Sequence, residues 1–295
     1  MFFKCKGSGG AVVTIDGVEV EDDLALSSGV MENISISTLP YNFYYGSAVI
    51  YQDEIHIMGS GNVATKHYKY NGTKWTSVST LPYNFYYGGA VVLNNEIHIM
   101  GSQNSNYYQK HYKWNGTSWT SVSTLPYYFL NGSAVVYKDE IHIMGSTAAG
   151  QTKYHYKYNG SSWTNMGDLP YDFYYGSAVV YRDAIHILGA QYATNNHYKY
   201  DGTSWARVST LPYIYYGGGA VVKDDEIHIM GCTNKNYGKN YYKYNGSSWT
   251  SVSTLPYYFD SGSTVVHNNE IHIMGSYYSS SYYTSHYVLQ RNYLY

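Results

Sequence analysis

LPYYFLNGSAVVYKDEIHIMGSTAAGQTKYHYKYNGSSWT, from Leu125 to Thr164, is one turn of a pattern that the chain repeats six times. Its marker Leu-Pro falls at Leu39-Pro40, Leu81-Pro82, Leu125-Pro126, Leu169-Pro170, Leu211-Pro212 and Leu255-Pro256, at intervals of 42 or 44 residues. A repeat of that length, built from short strands, signals a propeller or a solenoid. Within each copy four strands can be read. In the second copy these are Gly89–Leu93, Glu96–Met100, His111–Trp114 and Trp119–Ser123, with turns at Asn94-Asn95 and Asn115-Gly116. Apolar residues alternate with period two and occupy both faces of the sheet, and no helical spacing occurs. A sheet apolar on both sides needs a neighbour on both sides, which radial packing supplies.

The ends of the array are out of phase. The last copy lacks the tryptophan-bearing fourth strand, while Asn33-Ile34-Ser35-Ile36-Ser37-Thr38 aligns with Trp75–Thr80 and precedes the first Leu-Pro. The expectation is an all-β six-bladed β-propeller of four-stranded antiparallel blades, its ring closed by the N-terminal strand. The propeller takes residues 31–295. Residues 1–30 form an extension: a short hairpin around Asp16-Gly17, then a linker through Glu21-Asp22-Asp23 and Ser27-Ser28-Gly29. The tail from Arg291 to Tyr295 is expected beside the closure.

Composition narrows the function. Charged residues make up 13% of the chain and the net charge is −2, which gives no electrostatic footprint for nucleic acid. No run is long enough for a membrane span or a signal peptide, so cytoplasmic and phage- or appendage-associated locations both stay open. Cys5 and Cys232, the two cysteines, build no disulfide framework. Tyrosine instead dominates, at 41 residues. Its flat apolar body and polar tip suit packed blades and adhesive surfaces alike.

The unit resembles a kelch repeat, across roughly residues 32–295. The likeness lies in the strand after the Leu-Pro loop, the apolar strand ending in glycine, and the tyrosine and tryptophan around the next turn. It implies four-stranded blades with the first strands lining the axis. The chain departs from the family pattern where a double glycine is usual, carrying Gly59-Ser60, Gly101-Ser102, Gly145-Ser146, Gly189-Ala190, Gly231-Cys232 and Gly275-Ser276. Its turn before the tryptophan is also shorter.

Two sets of histidines invite a metal reading. His56, His98, His142, His186, His228 and His272 sit mid-strand between isoleucines, and packed structural histidines are expected there, with no metal and no cofactor. His67, His111, His155, His197 and His286, with Tyr241 in the remaining place, open the third strand, where packing is weighed against ligand contact. Trp75, Trp119, Trp163, Trp205 and Trp249 are expected as wedges between blades. The Asn-Gly-Thr/Ser triplets match glycosylation sites formally, but the turn itself requires Asn-Gly.

Antiparallel strands put the fourth-to-first and second-to-third loops on one side, where everything long and variable collects. The expected ligand-binding face comprises Tyr44, Tyr45, Tyr86, Tyr87, Tyr128, Asn131, Asp172, Tyr174, Tyr175, Tyr216, Tyr258 and Asp260 from the first set. Tyr107, Tyr154, Tyr192, Tyr237 and Tyr278 come from the second. The tyrosine after each proline is expected to pack under the blades, while the remaining loop aromatics ring the axial mouth. Substitutions such as Leu130-Asn131 and Asp260-Ser261 fit a surface better than a core. The Tyr, Asn, Ser and Gly palette is that of a recognition surface for sugars or proteins. HExxH, GxSxG, phosphate-loop and sialidase signatures are absent, so a non-enzymatic module is expected, binding a glycan or a cell-surface or protein target. A phage or appendage adhesin fits that expectation. The alternatives are an intracellular interaction scaffold and a sugar mutarotase or epimerase, the last on the kelch resemblance.

Overall fold

A computed structural model describes residues 4–5, 11–15, 18–20, 31–192 and 195–291. From residue 31 onward it is a ring of six four-stranded antiparallel sheets, a six-bladed β-propeller. Blade 1 comprises Ser47–Tyr51, Glu54–Met58, Lys66–Tyr70 and Trp75–Thr80, and the next four blades repeat this order from axis to rim. Blade 6 takes its inner three strands, Ser263–His267, Glu270–Met274 and Ser285–Arg291, from the end of the chain. Its outer strand, Met31–Thr38, comes from the start. The closing pairing runs from Ser285 opposite Thr38 to Arg291 opposite Met31. Among the described residues the one helix is a 3-10 turn at Ser280–Tyr282. The hairpin expected before the propeller is present as Ala11–Ile15 paired with Val18–Val20, joined by Lys4–Cys5. The Asp16-Gly17 turn, the linker at 21–30 and the tail at 292–295 lie outside the described residues.

Each blade buries the isoleucines of its second strand completely: Ile97, Ile99, Ile141 and Ile143 are fully shielded. The six apolar cores lie between neighbouring blades. Val49, Tyr51 and Met58 of blade 1, for instance, meet Phe85, Ile97 and Ile99 of blade 2. The aromatic third after each proline also belongs to the core, since Phe43, Phe85, Phe129, Phe173, Tyr215 and Phe259 have no exposed surface. Expected at the mouth, they turn inward because the preceding glycine gives them room. Gly101, at φ +66, would place a Cβ 1.9 Å from the Phe129 carbonyl oxygen, so no other residue fits there.

The two turns on the face opposite the variable loops differ in length. The first and second strands of every blade are joined by two residues with positive φ, such as Gln52-Asp53 and Asn94-Asn95, the primed geometry that matches strand twist. The Asn-Gly turns are longer than a two-residue hairpin. Asn71 caps a four-residue loop by accepting hydrogen bonds at Oδ1 from the Thr73 amide, the Thr73 hydroxyl and the Lys74 amide. In blade 4 Asp201 does the same, and the Thr203 hydroxyl with the Ser204 and Thr203 amides pulls its carboxyl down to about 2.

Inside the blades the histidines form stitches. His56 Nδ1 lies 2.8 Å from His67 Nε2, and His67 Nδ1 lies 3.0 Å from Ser79 Oγ. That hydroxyl also accepts from the indole N–H of Trp119, one blade on, at 3.0 Å. The set recurs as His98–His111–Ser123–Trp163, His186–His197–Ser209–Trp249 and His272–His286–Ser37–Trp75. Both histidine sets are therefore packed and paired with each other. The tryptophans act as half-buried clasps between blades. Where one member changes, its partners lose out. Gly167 stands in the serine position of blade 3, and both His155 Nδ1 and Trp205 Nε1 are buried without a partner. In blade 5 Tyr241 replaces the second histidine, its hydroxyl bonds His228 Nδ1 at 2.7 Å, and Ser253 Oγ is left alone.

Candidate site at the axial mouth

The fourth-to-first loops turn into the axis at six equivalent residues, Tyr45, Tyr87, Asn131, Tyr175, Gly217 and Ser261. All have positive φ, between 57 and 68°. This conformation aims each amide along the circle. Tyr87 N–H donates to the Tyr45 carbonyl, Asn131 to Tyr87, Tyr175 to Asn131, Gly217 to Tyr175, Ser261 to Gly217, and Tyr45 to Ser261, at 2.6–2.8 Å. A closed circle of six peptide hydrogen bonds thus fixes the rim of the axis. Five of its members are not glycine and hold a conformation that costs L-residues free energy. The circle surrounds a cavity of about 120 Å³. A second cavity of about 220 Å³ lies against the inner strands, walled by Ser47, Gly89, Ser133, Ser177, Gly219 and Ser263 together with their neighbours.

Three rim side chains are tyrosines, and they lean together over the axis. Tyr45 stacks on Tyr87 with ring centroids 4.0 Å apart, and Tyr87 meets Tyr175, two blades away, edge-on at 6.1 Å. Burial pushes all three hydroxyls up from their ordinary value, so they are neutral donors. A hydrogen bond to Tyr87 works against that rise at Tyr45 and Tyr175. The aromatic tract continues outward on both sides. Tyr44, Tyr277 and Tyr283 join at Tyr45, with centroids 4.8–5.4 Å apart. Tyr86 joins at Tyr87, and Tyr174 then Tyr192 follow Tyr175 at 6.1 and 5.9 Å. Nine tyrosines run unbroken across the mouth. Tyr277 and Tyr192 are exposed, at 46% and 81%.

The remaining expected site residues divide. Tyr258 stacks on Tyr278 at 4.3 Å with Lys239 above its ring, and exposed Tyr128 packs on Tyr108. These lie on the variable face as separate patches. Asp172, exposed, accepts from the Thr152 hydroxyl at 2.6 Å. Tyr216 is half-buried against the core shared by blades 4 and 5. Tyr107, Tyr154 and Tyr237 are drawn inward: each packs on the tyrosine after proline, at Tyr83, Tyr127 and Tyr213. They brace the loops because a ring on a second-to-third-strand loop finds apolar area beneath it.

Asn131 and Asp260 correct an inference drawn from their polarity. Both are buried, at 8% and 5% exposure. Asp260 is accommodated by hydroxyls: its Oδ1 accepts from Thr233 at 2.6 Å and from Ser261 at 2.8 Å. Burial raises its carboxyl above the ordinary value, an effect these two bonds partly offset. Tyr277, Tyr283 and Thr233 were not singled out in the sequence, and Ser261 was read there only as a surface substitution beside Asp260. The usable signal was their place in the variable loops beside the rim.

No protein-family model matches the chain, and no curated protein matches it. Among solved structures 497 chains match. One is the structure of YjhT, which aligns with 16% sequence identity and a TM-score of 0.73, over 86% of this chain and 95% of that one. At that identity the likeness supports the six-bladed fold alone.

Proposed function

We propose that the protein is a non-enzymatic recognition propeller that binds a glycan at its tyrosine-lined axial mouth, and that it is a divergent member of the kelch group. The nine-tyrosine tract crossing the mouth carries this reading. Sugars present apolar ring faces edged by hydroxyls, and tyrosines that combine flat faces with neutral hydroxyl donors complement both. The tract is held on a rim whose backbone is tied in a closed circle, so little conformational freedom is lost on binding. On this reading residues 1–30 form an appended attachment segment and the propeller presents the receptor-binding face, as in an adhesin. A glycan array probed with the full chain tests the proposal. The expected outcome is binding to a restricted set of glycans, weakened at least tenfold in Tyr45→Ala/Tyr87→Ala; an array with no bound glycan, or one indifferent to that pair of substitutions, contradicts it.

A further inference from the structure

Resting on that glycan reading, we infer that the sector of the mouth between blades 5 and 6 is a subsite for an ammonium group, and that the recognised glycan carries a free amino sugar.

The rim is asymmetric. Blades 1, 2 and 4 contribute tyrosines, whereas blades 5 and 6 contribute Gly217 and Ser261 and leave their two rim positions without a ring. The missing side chain has a reason. A Cβ on Gly217 would lie 2.1 Å from Thr233 Oγ1 and 3.0 Å from Asp260 Oδ1, so the glycine lets a carboxylate reach the rim. Tyr44, Tyr86, Leu130, Tyr174 and Tyr216 fill the equivalent place in the other copies. One acid therefore stands where the repeat otherwise puts a large apolar residue.

That carboxylate lacks a counter-charge. Among the described residues its Oδ1 accepts from two hydroxyls, its backbone amide donates to Ser276 Oγ and its carbonyl accepts from the Tyr277 amide, and no Lys, Arg or His compensates it. A buried anion without a cation is costly to the fold, and ligand sites are where such groups persist. Directly across the six-fold circle is Asn131. Its Nδ2 donates to Thr147 Oγ1 at 3.1 Å, while its buried Oδ1 has no partner. The mouth thus holds one unpartnered amide oxygen and, beside its rim, a carboxylate with no counter-charge, flanked by the rings of Tyr45 and Tyr175, which both feel the Asp260 charge.

A neutral hydroxyl would satisfy a lone pair and leave the charge standing. An ammonium supplies three donors, neutralises Asp260 and gains from the tyrosine faces. A carboxylated or sulfated sugar would meet like charge and is disfavoured.

The experiment titrates the full chain at pH 7 with glucosamine, N-acetylglucosamine, glucose, glucuronic acid and n-butylamine, following ligand saturation transfer by NMR. Glucosamine is expected to bind at least tenfold more tightly than N-acetylglucosamine or glucose, with glucuronic acid weakest. Asp260→Asn is expected to abolish that preference. Asn131→Asp, a second variant that leaves Asp260 in place, is expected to increase it. Equal affinity for glucosamine and N-acetylglucosamine, or a preference that survives Asp260→Asn in folded protein, overturns the ammonium subsite while leaving sugar binding intact. Asp260-dependent binding of n-butylamine with no sugar bound overturns the amino-sugar assignment and the glycan reading with it.

Discussion

The histidine stitches and the axial mouth both combine aromatic rings with hydroxyls and ionisable groups, yet they are organised oppositely. In a complete stitch the linking atoms answer one another within and between blades, as in His67–Ser79–Trp119, while the Nε2 atoms of His56, His228 and His272 stay buried without a partner. At the mouth the copies disagree, and the disagreement leaves Asp260 without a counter-charge and Asn131 Oδ1 without a partner. Repetition therefore closes chemistry inward, and departure from it opens chemistry outward. Blade 3 qualifies the rule, because its Gly167 breaks a stitch and strands two buried nitrogens.

The largest test of this contrast is acid. Burial holds His56, His98, His142, His186, His228 and His272 at about 4, and His67, His111, His155, His197 and His286 at about 3. These values lie below the unfolded value of about 6.5. The unfolded chain binds more protons below pH 6.5, so the stabilisation is fully present above that pH and is lost as pH falls toward the folded values. All eleven act in the same direction, with the hydrogen-bonded histidines titrating as pairs, so stability falls steeply as pH drops below about 6.5. Circular dichroism should show cooperative unfolding between about pH 6 and 5. A fold intact at pH 4 would show that the stitches tolerate charge.

A smaller effect separates complete from broken stitches. Trp119→Phe removes an indole N–H bonded to Ser79, whereas Trp205→Phe removes one that has no partner. Both lose comparable aromatic area, so urea denaturation should find Trp119→Phe the costlier by about 1 kcal/mol. Equal costs would mean that the clasp is packing alone.

Much of this was legible in the chain. The Leu-Pro spacing gave six blades, and the likeness of Asn33–Thr38 to Trp75–Thr80 gave the closure that Ser285–Arg291 completes. Antiparallel alternation put the variable loops on one side. What escaped was whatever depends on residues meeting across the axis. Tyr87 touches Tyr175 two blades away, and no repeat pattern reports a contact between non-adjacent copies. The positive φ of Tyr45, Asn131 and Ser261 escaped as well, because a rim tied by peptide bonds imposes it on residues with no local preference for it. Asp260 read as exposed by its charge, and the two hydroxyls that let it be buried come from neighbouring loops. The paired histidines were recognisable as structural. Their coupling to Ser79 and Trp119 needed the blade register and the neighbouring blade.

The claim on which the functional account turns is that recognition belongs to the tyrosine face and not to the face of two-residue turns. Binding of an array-selected glycan should be measured for two matched variants, Tyr45→Ala/Tyr87→Ala at the mouth and Asn94→Gly/Asn95→Gly in an opposite turn that keeps its positive φ. The account predicts at least a tenfold loss for the first and unchanged affinity for the second, with both folded. Loss confined to the turn variant would place the ligand on the other side of the ring and contradict it.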